Sequence, residues 1–161
     1  MLERFCNAAS RYLVVAGGVF LVAMMGLTCG NILFRLVWVP IRGTFELMGF
    51  FGAVVAAFAL GYTQLRRGHI AVDVLVNTFS DRTRLLLVRI NSLLCAVFFA
   101  VVAWQLAEKG HVLRLTEEVT ETLRVIYYPF VYGVALGFAF LALVFMLDLL
   151  RTLRPAAGGG H

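Results

Sequence analysis

Apolar residues fall into four long stretches separated by short polar connections. The first covers residues 12–34 without a charge. The second, 45–65, carries Glu46 at its start. The third, 85–106, holds Arg89 one turn in, and the fourth, 125–150, holds Asp148 near its end. None alternates with period two, as a barrel strand would. At about 1.5 Å per residue each can cross a hydrocarbon layer of about 30 Å, the fourth with length to spare for tilt. Lipid offers no hydrogen bonds, so a spanning segment must satisfy its own backbone, and continuous apolar runs do this as helices. The pattern predicts an all-α integral membrane fold: four transmembrane helices in a single domain over residues 1–154. Residues 155–161, ending in Gly158-Gly159-Gly160-His161, predict a flexible tail.

The connections have patterns of their own. After the second run, His69, Asp73 and Asn77 recur at helical spacing, with Ile70, Val74, Leu75 and Phe79 on much of the remaining surface. A segment this short and polar cannot span, so the periodicity predicts an amphipathic helix at about 69–80 lying in the membrane interface. Arg66 and Arg67 precede it and are placed to bind phospholipid phosphates. An ordinary polar connection is the alternative. Between the third and fourth runs, Val112, Leu113, Leu115, Val119 and Leu123 predict a second short surface helix within 108–124. The glutamates of that segment are also compatible with a docking surface for a soluble partner.

Composition agrees. Of 161 residues, 61% are apolar and 14% charged, against roughly 45–50% and 25% in soluble domains. That excludes a soluble globule and a disordered chain, and four spans leave no room for a water-facing catalytic domain. The net charge of +5 comes from residues at the ends of apolar runs, which favours anionic headgroups over nucleic acid as the counter-surface. Arg4, Arg11, Arg66, Arg67, Arg82, Arg84, Arg151 and Arg154 lie on one side. Arg35, Arg42, Lys109, Arg114 and Arg124 lie on the other, offset by Glu46, Glu108, Glu117, Glu118 and Glu121. The positive-inside rule then predicts cytoplasmic termini and a cytoplasmic 66–84 loop.

Candidate chemistry is sparse. The histidines, His69, His111 and His161, lie outside the runs, which excludes bis-histidine haem within the bundle. Cys6, Cys29 and Cys95 are scattered and form no CxxC, so neither a disulfide framework nor a zinc site is predicted; Cys29 and Cys95 read as small packing residues. No hydrolase, metalloprotease or phosphate-loop motif occurs. His69 and Asp73, four apart, could pair as a proton relay, but at headgroup depth a structural hydrogen bond is the simpler role. Glu46 and Arg89 are ionisable residues within apolar runs, which makes them functional candidates. Both lie within snorkelling reach of water, so helix-end anchoring is the first reading and pairing between helices or subunits the second. No charge occupies the centre of a run, where an ion-coupled carrier keeps its polar groups. Gly133 and Gly137 form a GxxxG, a spacing that permits close helix packing. Trp38, Tyr127 and Tyr128 fit an aromatic belt.

Taken in order, several segments resemble the small membrane subunit of tripartite ATP-independent periplasmic (TRAP) transporters, the DctQ-type family. They are Asn31-Ile32-Leu33-Phe34-Arg35, Gly43-Thr44-Phe45-Glu46, Arg66-Arg67-Gly68-His69-Ile70-Ala71-Val72-Asp73, and Leu123-Arg124 before Tyr128-Pro129. The family often has a doubled acid near Glu46, where this chain has Phe45. The resemblance implies a non-catalytic scaffold subunit in a bacterial or archaeal inner membrane, with no cofactor of its own. A large multispanning permease would hold the sodium and organic-acid sites, and a periplasmic binding protein would deliver the carboxylate. Asn31, Arg35, Trp38, Glu46, Arg66, Arg67, His69, Asp73 and Arg89 are then candidates for subunit contact or membrane anchoring. Two alternatives remain open: a small homo-oligomeric proton-coupled multidrug-type exporter, and a four-helix membrane enzyme of the glutathione-transferase type.

Overall fold

A computed structural model describes residues 2–65 and 81–153, with side chains for most of them. The helices are α1 (Leu2–Val37), α2 (Thr44–Leu65), α3 (Asp81–Leu115) and α4 (Tyr128–Leu153). All four are long and apolar enough to cross a membrane, with segment hydropathies of 2.1, 1.7, 2.4 and 2.5. Among the described residues there is no strand, and the fold is all-α. The predicted interfacial helix at 69–80, with Arg66, Arg67, His69 and Asp73, lies outside the described residues, as does the 155–161 tail.

Local sequence explains where the helices stop and start. Pro40 follows α1 closely and cannot extend it. Gly43 then turns the chain at φ +73°, a left-handed conformation that costs glycine nothing. Its carbonyl accepts the amide of Leu47, opening α2. Glu46 falls in the first turn of α2, where the exposed N–H groups favour an anion. Pro129, in the first turn of α4, lacks an N–H that would have no partner there.

The helices pack as an open row. α1 lies on α2, α2 on α4, and α4 on α3. In α2 and α4, 28% and 39% of the spanning segment is buried, but only 6% in α1 and 11% in α3. The middle of the row is therefore the core. Its two helices are parallel: a Cβ on Gly133 would touch Val54, one on Gly137 would touch Ala57, and one on Gly61 would touch Phe140. Each outer helix runs antiparallel to its inner neighbour. The chain is thus two helical hairpins joined through their second helices.

Small residues set that central contact. A Cβ on Gly137 would stand 2.8 Å from the Ala57 Cβ and 2.9 Å from its carbonyl carbon. The α2 and α4 backbones touch there, as the GxxxG spacing allows. Aromatic rings fill the rest. Phe20 of α1 leans on Phe51, while Phe50 stacks on Phe130 at 5.1 Å. Phe99 of α3 stacks between Phe138 and Phe145 of α4, at 5.8 Å from each. At one end Cys6 packs on Phe140, Val144 and Leu147. In lipid such fit holds helices together, because the tails are as apolar as the side chains they would replace.

Two expectations are corrected. The segment 108–124 forms no separate surface helix. α3 continues unbroken to Leu115, and the chain then turns through Glu117 (φ 49°) into a tight loop closed by an antiparallel bridge between Val119 and Ile126. The apolar stripe was real as far as Leu115, but it belongs to the third helix. Cys29 is exposed on α1 and packs no interior, whereas Cys6 is fully buried. Tyr127 and Phe50, and Tyr128 and Tyr132, meet edge to face, contacts compatible with a place in an aromatic belt.

Candidate functional site

Two polar clusters and the uncovered outer helices are the features able to meet a partner. The first cluster closes the end of the bundle that holds the α1–α2 and α3–α4 connections. The Asn31 side-chain oxygen accepts the Ile41 amide at 2.9 Å, folding the 38–43 connection back on α1. The buried Thr44 hydroxyl donates to the Ile41 carbonyl at 2.7 Å. One Glu46 carboxylate oxygen, Oε1, accepts the Thr122 amide at 3.1 Å, from a residue 76 positions along the chain. Its other oxygen, Oε2, is enclosed and has no hydrogen-bond partner. Thr120, 2% exposed, organises the loop from within. Its amide donates to the Val125 carbonyl, and its hydroxyl accepts the Val125 amide at 3.1 Å. Leu123 lies over the glycine turn at Gly43.

The second cluster ties three helices at the opposite end. The Gln64 amide of α2 donates to the Asp148 carboxylate of α4 at 3.3 Å. The Thr152 hydroxyl donates to the Asp148 backbone carbonyl at 2.8 Å. Arg89 of α3 donates to the Thr152 carbonyl at 2.9 Å. A guanidinium on one of the last carbonyls of α4 satisfies an orphan acceptor and complements the negative end of the helix dipole. Gln64 Oε1 and Arg89 Nε are buried without partners.

Glu46 joins the start of α2 to the 116–127 loop, and Arg89 joins α3 to the end of α4. Asn31 and Glu46 stand on the two sides of one connection. Arg35 is exposed near the end of α1 and Trp38 just past it, Trp38 at 81%, and neither side chain has a polar partner among the described residues. Arg66, Arg67, His69 and Asp73 lie outside the described residues. Sequence reasoning missed Thr44, Thr120, Gln64 and Thr152. A usable signal existed for Gln64: an amide closing an apolar run needs a partner on a neighbouring helix, and Asp148 ends the fourth run at matching depth. Nothing local marks Thr120, whose role depends on loop closure.

Among the described residues, no three histidine, cysteine or acidic side chains gather closely enough to hold a metal ion. The outer faces of α1 and α3 are apolar and uncovered: Val15, Val22 and Met25 on α1, and Leu94, Phe98 and Val101 on α3, are each more than half exposed. In a membrane these face lipid or another membrane protein.

Residues 24–155 match the family model described as tripartite ATP-independent periplasmic transporters, DctQ component. That is most of the chain, from the middle of α1 past the end of α4. The protein belongs to this family, as the small membrane component of a TRAP transporter. Neither a curated protein nor a solved structure matches it.

Proposed function

Starting from a DctQ-family, four-helix membrane chain, we propose that it is a scaffold for the large permease subunit of a sodium-driven organic-acid importer. The chain has no catalytic role in this reading and binds neither sodium nor substrate. A separate multispanning permease carries those sites. A periplasmic binding protein supplies the carboxylate, and the 116–127 loop, with its exposed glutamates, is one place it could touch. The complex sits in a bacterial or archaeal inner membrane, with the termini of this chain in the cytoplasm and the Glu46 cluster on the periplasmic side.

The backbone contact between α2 and α4 carries the reading. With Gly137 against Ala57, the middle of the row is closed to a solute. Both polar clusters sit at helix ends and are occupied in holding elements together. Glu46 is committed to the Thr122 amide, which argues against its serving as the proton-coupling acid of a small exporter. Meanwhile the outer helices offer long apolar faces for a membrane partner.

Co-expression of the tagged chain with a large TRAP permease from the same genome tests this. Purification in mild detergent should recover both chains in fixed ratio, and sodium-driven uptake into liposomes should require both. Uptake by this chain alone would overturn the scaffold reading, and so would failure of the two to purify together.

A further inference from the structure

Among the described residues two side-chain amides are exposed, Asn91 and Gln105, and both stand on α3. They are two heptads apart, so they fall on nearly the same side of the helix. Leu87, Asn91, Leu94, Phe98, Val101 and Gln105 follow one another in alternating steps of four and three, and all six are exposed. Such steps trace the narrow seam along which one further helix packs at a small crossing angle.

Asn91 is the telling member. At 1.5 Å per residue it stands about 9 Å inside the start of the apolar run 85–106 and about 7 Å short of its middle. Its side-chain oxygen accepts only the Cys95 thiol, at 3.8 Å, and its amide hydrogens have no partner among the described residues. Lipid tails offer none, and a primary amide left unbonded in hydrocarbon is costly. The other helices present nothing comparable. The Thr28 and Thr63 hydroxyls bond to carbonyls of their own helices, and Leu136, Leu143 and Met146, exposed on α4, are apolar. A second copy of this chain is one conceivable occupant of the seam. Two copies inserted in the same orientation would pair α3 in parallel, with each residue near its counterpart. Glu108, exposed three residues beyond Gln105 on the same seam, would then oppose Glu108, and like charges set face to face repel. The seam therefore suits a helix of a different chain.

We propose that this seam of α3 docks one transmembrane helix of the large permease, and that an oxygen of that helix accepts the Asn91 amide within the hydrocarbon layer. Leu94, Phe98 and Val101 supply the apolar packing, and Asn91 sets the register, because a misaligned partner leaves the amide unbonded. The proposal rests on the scaffold reading and names the surface that carries it.

The test uses the full chain co-expressed with the large permease, and measures how tightly the tagged chain retains the permease in mild detergent. Asn91→Leu, which keeps the side-chain volume and suits lipid, should weaken the association about threefold to tenfold, the range one interhelical hydrogen bond implies. Helix content by circular dichroism should not change. Asn91→Gln, which keeps the amide, should lose less. A photoreactive phenylalanine analogue in place of Phe98 should couple to the permease in membranes. The same analogue in place of Leu93, exposed about 120° around the helix from the seam, should not. Undiminished association in Asn91→Leu, or coupling to the permease from position 93 and not from 98, would overturn the proposal. An adduct of two copies of this chain from position 98 would give the seam to a second copy and overturn it as well. In each of these cases the unaltered chain still retains the permease, so the scaffold reading survives. If the unaltered chain retains no permease, the scaffold reading itself fails, and this proposal fails with it.

Discussion

Glu46 shows what one side chain contributes beyond its position in a helix. In the first turn of α2 it complements the helix dipole, as its place in the sequence implies. Its bond to the Thr122 amide also ties the two connections at that end together. Glu46→Gln keeps an acceptor but removes the charge that strengthens the bond. The Thr122 amide should then exchange with deuterium faster, while amides in the α2–α4 core keep their protection. Unchanged exchange at Thr122 would show that the bond does not restrain the loop. Gly43 is a second single-residue requirement. An alanine there must hold φ near +73° and displace Leu123. Left-handed backbone costs an L-residue roughly 1–2 kcal/mol, so Gly43→Ala should lower the unfolding midpoint in detergent by a corresponding amount. Neither partnership was legible beforehand. Thr122 is 76 residues from Glu46, and sequence pattern carries no register between loops.

At the scale of elements, the apolar runs foretold the helices because a spanning segment must be continuously apolar. They did not foretell where two of the helices end. α1 and α3 have 36 and 35 residues, about 54 and 52 Å at 1.5 Å per residue. Each outlasts its apolar run because helix propensity continues through Ala8-Ala9 and through Ala107-Glu108-Lys109, where hydropathy falls. The order of packing was equally hidden, since all four runs are apolar all round. The two glycines of the fourth run were the one legible hint, and they differ in consequence. Gly137→Ala places a methyl group 2.8 Å from the Ala57 Cβ and 2.9 and 3.0 Å from its backbone carbonyl carbon and oxygen, overpacking that costs roughly 1–3 kcal/mol. Gly133→Ala meets only the Val54 methyl at 3.6 Å, an ordinary contact, and alanine is a better helix former than glycine by about 1 kcal/mol. Stability measurements on the pair should therefore give opposite signs. Equal destabilisation would mean that the central contact is not centred on Gly137.

For the whole molecule, the direction of each helix fixes which ends share a side. α2 and α4 are parallel and each outer helix is antiparallel to its neighbour, so both connections, 38–43 and 116–127, emerge at one end. The start of α1 and the end of α4 emerge at the other. Geometry leaves open which end faces the cytoplasm, and charge decides it in the proposed reading. Arg11 marks the termini end, while Glu117, Glu118 and Glu121 crowd the connection end. A chain with Cys6, Cys29 and Cys95 replaced by alanine gives a direct measurement when single cysteines are introduced at exposed positions. Glu118→Cys should react with a membrane-impermeant maleimide in intact spheroplasts. Ala8→Cys should react only after the membrane is opened. The reverse pattern would invert the orientation and move the Glu46 cluster, and any contact with a periplasmic protein, to the wrong side. Labelling of both from outside would contradict the three spans that separate these two positions. Labelling as expected would put the 116–127 loop where a periplasmic binding protein can reach it, and would leave the apolar faces of α1 and α3 in the bilayer as the surfaces for a permease.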